Sequence, residues 1–379
     1  MEELREKIDQ IDARIVESFT QRMQLSQEIA GYKKENNLPI ADPKREREKL
    51  DHLGKLVPDD LRQSVYSLYD LLFDLSKAHQ RDLNRQQSPL YKEIEAALEE
   101  TPKLFPKEAS VACQGAEGAY GQIAAQRIFQ RPSLMHFKSF ESVCSAVESG
   151  LCEYGVLPLE NSTAGSVREV YDLMLRHKFH IVKSLRLKVD HAFLTKSGVK
   201  KSAIREVYSH PQAIAQCAEF LEKLGADVKI TPCENTAVAA QMVAESGRTD
   251  VAAISSSTCA ALFGLDIADE GIQDSSSNYT RFICIAKRLE IYPGADRSSV
   301  LLVLPHKPGA LYKVLARFYA LGMNLAKLES RPLPGKDFEF MFYFDLETSV
   351  YSPEFAQVID ELQETCPMFY YLGSYSEGM

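Results

Sequence analysis

LREKIDQIDARIVESFTQRMQLSQEIAGYKK, residues 4–34, carries apolar side chains at Leu4, Ile8, Ile11, Ile15 and Phe19. Spacings of three and four place them on one face of an α-helix. No strong stop signal interrupts the pattern before about Asn36. A helix of roughly 35 residues spans roughly 50 Å, too long for a lone small domain. The pattern therefore predicts a partner, most simply the same helix of a second chain. Arg22 and Lys33 of this stretch fall within about 20° of one face and roughly 16 Å apart along the axis. Two long basic side chains could close that gap around a small anion. Arg5 is roughly 25 Å from Arg22 and about 100° round the axis. It could reach the same ligand only from a paired second helix.

The next stretch, ADPKREREKL (41–50), begins with Asp42 and Pro43, a helix-start signature. Continuing the helix puts Leu50, Leu53 and Val57 on an apolar stripe, and Glu46 falls on that same stripe with Arg45 beside it. A charge on a buried face needs a partner or a ligand. A further helix carries Leu61, Val65, Leu68, Leu72 and Leu75, and Ser76 and Gln80 extend the line of Leu72 as a polar continuation. Residue by residue, a coiled-coil dimerisation module with solvated charges explains each position equally well. Together they favour an anion site.

At 379 residues the chain implies two or three domains, and its net charge of −9 argues against a general nucleic-acid binder. No apolar run approaches membrane length and no signal-peptide core is visible, so a cytoplasmic protein with no membrane partner is expected. The eight cysteines are scattered, as in reduced cytosolic proteins, and His177 and His180 read as surface histidines. No metal site or cofactor is expected. Residues 86–109, with three prolines and many charges, read as a linker with a short helix. From about 110, short β-rich runs alternate with amphipathic helices, an α/β texture. The glycines of VACQGAEGAYGQIAAQRI (111–128) form G-x-x-G-x-x-G rather than G-x-G-x-x-G, which disfavours a dinucleotide site. This strand–loop–helix could still seat an anion at the helix N-terminus. From near Ser298 the predicted order βαββαβ is the ferredoxin-like plan.

The 4–34 stretch, DPKRERE (42–48) and SKAHQ (76–80) resemble the helical chorismate mutase at the head of the bifunctional P-proteins, chorismate mutase–prephenate dehydratase. The resemblance covers essentially the whole chain. It implies an all-α mutase (1–86), a linker (87–108), a two-lobed α/β dehydratase like periplasmic binding proteins (109–288), and an α+β ferredoxin-like ACT regulatory domain (298–379). It also implies two reactions of phenylalanine biosynthesis, chorismate to prephenate and prephenate to phenylpyruvate, in a homodimer or larger homo-oligomer. Mutase positions carry over as Arg5 from the partner chain, Arg22, Lys33, Asp42, Arg45, Glu46, Ser76 and Gln80. Lys33 and Gln80 would donate to the ether oxygen, and Glu46, Arg45 and Asp42 would hold the ring-hydroxyl end. A unimolecular rearrangement needs only clamped carboxylates and charge stabilisation at the breaking bond, which arginine forks and amides supply.

PLENSTAGSV (158–167), YSHPQA (208–213) and the TRF of 280–282 resemble prephenate dehydratase signatures. They imply Thr280 as proton donor or its orienter, with Arg281 and Phe282 shaping the site. Asn161, Ser162, Thr163, Ser209 and Gln212 would bind substrate. The glycine loop departs from the family's Gly-Pro-x-Gly-x-Tyr-Ser, with Ala116 for Pro and Gly121 for Ser. His210 reads equally as a base or as a structural hydrogen bonder. PGALYKVL (308–315) and LESRP (328–332) resemble the phenylalanine-responsive ACT domain, implying an effector site at Gly309, Ala310, Leu311, Glu329, Ser330 and Arg331. Two other readings stay open. One is a non-catalytic amino-acid sensor, which would not need Lys33, Gln80 and Thr280 all intact. The other is an arogenate-preferring dehydratase whose mutase head only dimerises.

Overall fold

The computed structural model describes residues 1–36, 38–83, 88–333 and 339–378, with the backbone alone for 81–83. The chain divides into two compact units after Pro89.

The first unit contains α1 (Glu2–Glu35), α2 (Pro43–Gly54) and α3 (Asp59–Leu83). Asp42 caps α2, its side chain accepting from the Arg45 backbone N–H at 3.0 Å, with Pro43 in the first turn. The second half of α1 buries Ser26 and Ala30, whereas the first half leaves its apolar stripe open. Leu4, Ile8, Ile11 and Ile15 are 53–60% exposed. Apolar residues on one face of a surface helix are ordinarily covered, and here that face is open.

The second unit opens with α4 (Pro89–Glu100) and β1 (Glu108–Gln114), followed by α5 (Tyr120–Ile128), β2 (Arg131–Phe137), α6 (Phe140–Ser149) and β3 (Tyr154–Asn161). Then come β4 (Gly165–Ser166), α7 (Arg168–Arg176) and β5 (His180–Lys188). A second lobe spans β6 (Ala192–Thr195), β7 (Glu206–Ser209), α8 (Pro211–Gln216), α9 (Ala218–Leu224), β8 (Lys229–Pro232), α10 (Thr236–Glu245), β9 (Val251–Ser255), α11 (Ser257–Phe263) and β10 (Asp266–Glu270). The chain returns to the first lobe as β11 (Tyr279–Ala286). It ends in a module of β12 (Arg297–Val303), α12 (Ala310–Ala320), β13 (Asn324–Pro332), β14 (Phe340–Glu347), α13 (Pro353–Thr365) and β15 (Met368–Tyr375), then β16 (Glu377–Gly378).

The first lobe's sheet runs β16-β5-β11-β3-β1-β2, and the second lobe's runs β10-β6-β9-β7-β8. Segments 189–191 and 271–278 are the two crossovers between them, so a cleft lies where they pass. The last sheet runs β13-β14-β12-β15, the order expected of the ferredoxin-like plan. One face of that sheet, with Val300, Leu302 and Phe344, packs on Phe318 of α12 and Phe355 of α13. Its other face, with Leu301, Val303 and Tyr343, shares a core with Leu157, Tyr171 and Ile283 of the first lobe.

The reading of 87–108 as a linker is corrected. The expected boundary at 86–87 lies outside the described residues, but α4 packs Ile94 and Ala97 into the core of the C-terminal module. Leu90, Ile94 and Ala97 repeat at helical spacing, and the prolines flank the helix instead of interrupting it. The histidine reading is also corrected. His177 lies 2.7 Å from Glu148, and His180 is half-buried with its pKa lowered, chiefly by desolvation.

Candidate active sites

In the first unit, α1 and α3 bring Arg22, Ser26, Ser76 and Gln80 together. The Arg22 guanidinium donates to the Leu72 carbonyl at 2.9 Å and to the Ser76 hydroxyl, and lies 5.7 Å from the centre of the Phe73 ring. Burial lowers its pKa from an ordinary value so high that it stays charged. The Gln80 amide donates to Ser26 Oγ at 2.8 Å. Gln80 Oε1 is buried with no partner among the described residues. A buried polar atom left open asks for a ligand or water. Turning the amide over would let Ser26 donate to the oxygen and free the Gln80 N–H₂.

Lys33 Nζ donates to the Ile40 carbonyl at 2.5 Å. Glu46 meets Lys77 at 3.1 Å, and Lys77 also meets Asp74 at 3.1 Å. Lys77 is thus the partner that the stripe position of Glu46 required, and sequence reasoning passed over it. Asp42 spends its carboxylate on the helix cap, and Arg45 is 72% exposed, 3.9 Å from Glu48. Arg5 sits exposed on the open half of α1.

In the second unit the cleft holds a cavity of about 350 Å³ lined by Thr163, Gln212, Gln216, Gln273 and Asn278 among others. Behind it, Asn161 Nδ2 donates to Asn278 Oδ1 at 2.7 Å and to Thr280 Oγ1 at 2.9 Å. Asn161 Oδ1 accepts from the Thr163 hydroxyl at 2.7 Å and the Ala164 N–H at 2.9 Å, which folds the loop after β3 around it. Gln216 donates to the Thr163 hydroxyl at 2.8 Å and accepts from Asn278 Nδ2 at 3.1 Å. Its oxygen also lies 2.9 Å from His191 Nε2. With Gln216 accepting, His191 carries its proton on Nε2, leaving Nδ1 buried without a partner among the described residues. Desolvation lowers the His191 pKa, so the ring is neutral at pH 7. Hydroxyls, amides and one neutral imidazole can donate and accept hydrogen bonds here; Asp274 also lines the cavity, its carboxylate accepting from the Ala218 and Glu219 N–H groups at 3.0 and 3.1 Å.

Several expected contacts fall elsewhere. Side chains alternate along β11, so Thr280 faces the cleft side and Arg281 the opposite side. Arg281 is buried against Asp345, Tyr375 at 2.9 Å and Ser184 at 3.0 Å. Burial alone would lower its pKa, but the interactions with Tyr375 and the Asp345 carboxylate outweigh that and raise it. It is not presented to substrate. Phe282 packs in the first-lobe core with Val156 and Cys284. Ser209 is fully buried and donates to the Ile254 carbonyl at 2.7 Å. Ser162 donates to the Ser277 carbonyl at 2.8 Å. His210 caps α8 through the Gln212 N–H at 3.2 Å, which answers the question of its role in favour of structure. In the glycine loop the Gly118 N–H donates to Gln122 Oε1 at 2.9 Å, and the Gly118 carbonyl lies 3.4 Å from the Ser256 hydroxyl, tying the loop to the second lobe. Glu329 accepts from Ser166 at 2.7 Å, and Arg331 meets Asp172 at 2.8 and 3.0 Å, so both reach the first lobe; Ser330 alone of that trio is exposed.

Gln216, Asn278, His191 and Gln273 were missed. Gln216 sits one helical turn beyond Gln212, a legible signal, and Asn278 stands two before Thr280. His191 and Gln273 belong to the two crossovers, and only the topology brings them together.

Two family models match the chain: "Chorismate mutase type II" over residues 4–81 and "Prephenate dehydratase" over 111–290. A protein of Aquifex aeolicus, called "Bifunctional chorismate mutase/prephenate dehydratase", is 32% identical over 386 residues, covering 100% of this chain and 98% of that one. The chain belongs to that family. As a bifunctional chorismate mutase/prephenate dehydratase it is an enzyme with an isomerase domain, which holds the Arg22–Gln80 cluster, and a lyase domain, which holds the Asn161–Thr280 cluster. The Arabidopsis thaliana "Arogenate dehydratase/prephenate dehydratase 1, chloroplastic" is 39% identical over 282 residues, 70% of this chain and 71% of that protein. A solved Arthrobacter aurescens prephenate dehydratase, described as in complex with L-Phe, is 26% identical with a TM-score of 0.65, covering 70% of this chain and 89% of that one. No described helix is long and apolar enough to cross a membrane.

Proposed function

We propose that the chain converts chorismate to phenylpyruvate in two steps, each in its own unit, and that phenylalanine inhibits the second. The observation that carries the dehydratase reading is the 2.9 Å contact between Asn161 and the Thr280 hydroxyl behind a cleft lined by hydroxyls and amides, with Asp274 as its one acidic lining residue. Prephenate loses its ring carboxylate as CO₂; the electrons of that C–C bond enter the ring, and the ring hydroxyl leaves with an added proton as water. A guanidinium on the departing carboxylate would stabilise the ground state and oppose its loss, so a cleft without Arg281 suits this chemistry. Thr280 donates or orients the proton, with Asn161, Thr163, Gln212 and Gln216 holding substrate. In the mutase unit Arg22 grips a substrate carboxylate, Lys33 and Gln80 serve the ether oxygen, and Ser76 and Glu46 complete the site. Arg45 stands beside Glu46 at the ring-hydroxyl end, and Arg5 joins from a pairing that covers the open half of α1; the working form is a homo-oligomer, and its place the cytoplasm.

Purified protein given chorismate and no cofactor is expected to release phenylpyruvate, read by mass spectrometry. Unchanged chorismate would overturn the proposal; accumulation of prephenate, converted only after transamination to arogenate, would favour the arogenate reading suggested by the plant relatives.

The C-terminal module acts as an ACT domain that binds phenylalanine near Gly309–Leu311 and the exposed Ser330. Gly309 has φ +81° and precedes the first turn of α12, whose free N–H groups suit a carboxylate. Coupling of about 1–3 kcal/mol is typical of such effectors. Replacing Gly309 with valine strains this backbone and is expected to remove phenylalanine inhibition while sparing basal dehydration; inhibition as in the parent protein would refute the assignment.

A further inference from the structure

Directly behind each member of the Asn161–Thr280 pair stands a charged neighbour that reaches away from the cleft. Glu160 precedes Asn161 and meets Lys327 of β13 at 2.8 Å. Arg281 follows Thr280 and is clamped by Asp345 of β14 and the Tyr375 hydroxyl of β15 at 2.9 Å. Glu377 of β16 adds a contact at 3.1 Å. Asp345 is fully buried, and its second oxygen accepts from Ser299, Tyr343 and Tyr375 of the same module. Thr280 pairs with Asn161 across the sheet, and a bulge falls at the very next step, between Arg281 and Phe282. A bulge disrupts the ladder locally, bends the bulged strand and re-aims the side chains beside it. The ladder to β5 on the other edge is unbroken from Tyr279 to Cys284, so the side-chain anchor of Arg281 acts on the edge where the ladder to β3 is disrupted.

We propose that Arg281 is a positioning residue of the dehydration: anchored by Asp345 and Tyr375 of the C-terminal module, it fixes the angle at which Thr280 and Asn161 enter the cleft. The module is then part of the catalytic lobe's working geometry, beyond any role in binding an effector. The inference rests on the reading of Thr280 as a group acting on substrate.

The test uses the full chain carrying Asp345→Asn, and separately the milder Tyr375→Phe, with circular dichroism and the thermal melting transition of the same preparation giving the fraction of folded protein, because chorismate turnover reports only the other compact unit. A displacement of about 1 Å at a reacting group can cost about a hundredfold in rate. Asp345→Asn is accordingly expected to lower the dehydration kcat by about tenfold to a hundredfold, and Tyr375→Phe by a few-fold, with KM for prephenate little changed. A merely structural clamp would lower the melting temperature but leave kcat per folded molecule intact, and that result would overturn the proposal. Should Asp345→Asn fail to fold, Tyr375→Phe decides alone by the same split. Should the parent chain turn over neither prephenate nor arogenate, the reading of Thr280 fails separately. Amide hydrogen exchange at residues 279–282 then decides: faster exchange in Tyr375→Phe supports the anchoring, and unchanged exchange refutes it.

Discussion

Replacing Thr280 with alanine is expected to lower prephenate dehydration by about 10²- to 10⁴-fold, the usual worth of a positioned proton donor. Chorismate rearrangement in the same protein should be unchanged, because the Arg22–Gln80 cluster belongs to the other compact unit. The substitution leaves the surrounding loop supported. Asn161 keeps its 2.7 Å bond to Asn278 and its turn around Thr163 and Ala164. Loss of activity would thus report chemistry and not unfolding. Steady-state rates for both substrates on one preparation make the measurement. If both activities vanish while the protein stays folded, the two reactions share a site and the assignment of Thr280 is wrong.

An Arg22→Ala chain is expected to lose chorismate turnover by tens- to thousands-fold, since an unpaired substrate carboxylate costs about 2–5 kcal/mol. The fold should survive, because the Ser76 hydroxyl also bonds the Leu72 carbonyl at 2.8 Å and does not depend on Arg22. An Arg5→Ala chain should lose activity as well. Mixing the two variants under conditions of subunit exchange should restore part of the rate, as each mixed pair contains one site with both arginines intact. The open stripe from Leu4 to Ile15 is the reason to expect such pairing. Confirmed exchange without recovery would show that Arg5 serves its own chain, or nothing.

Most of the helical unit was legible because its signals are local. The Leu4–Phe19 spacing, the Asp42–Pro43 cap and the Leu72–Ser76–Gln80 line each depend on neighbours within a few turns. The same held for the βαββαβ order of the last module. What escaped was set by long-range topology. Arg281 sits in a motif that reads as part of a site, yet strand alternation turns it away from Thr280 toward a carboxylate 64 positions later. Glu329 and Arg331 read as effector ligands and instead bond Ser166 and Asp172. His191 and Gln273 had no motif to mark them, since each matters only where the two crossovers meet. The short helix expected within 86–109 is present at Pro89–Glu100, but the flanking prolines gave no sign that Ile94 is buried in the C-terminal module.

The short strand β16 lies parallel to β5, Glu377 opposite Ser184 and Gly378 opposite Leu185. Consider the chain emerging from a ribosome. The helical unit, made first and held by contacts close in sequence, can fold while synthesis continues. The lyase sheet is completed later: β5 is finished early, but its outer neighbour, two residues long, is made only after the whole C-terminal module. During that interval β5 presents unpaired backbone groups at a sheet edge, the kind of surface on which nascent chains associate wrongly. Any tag or cut placed near residue 377 would leave that edge open for longer.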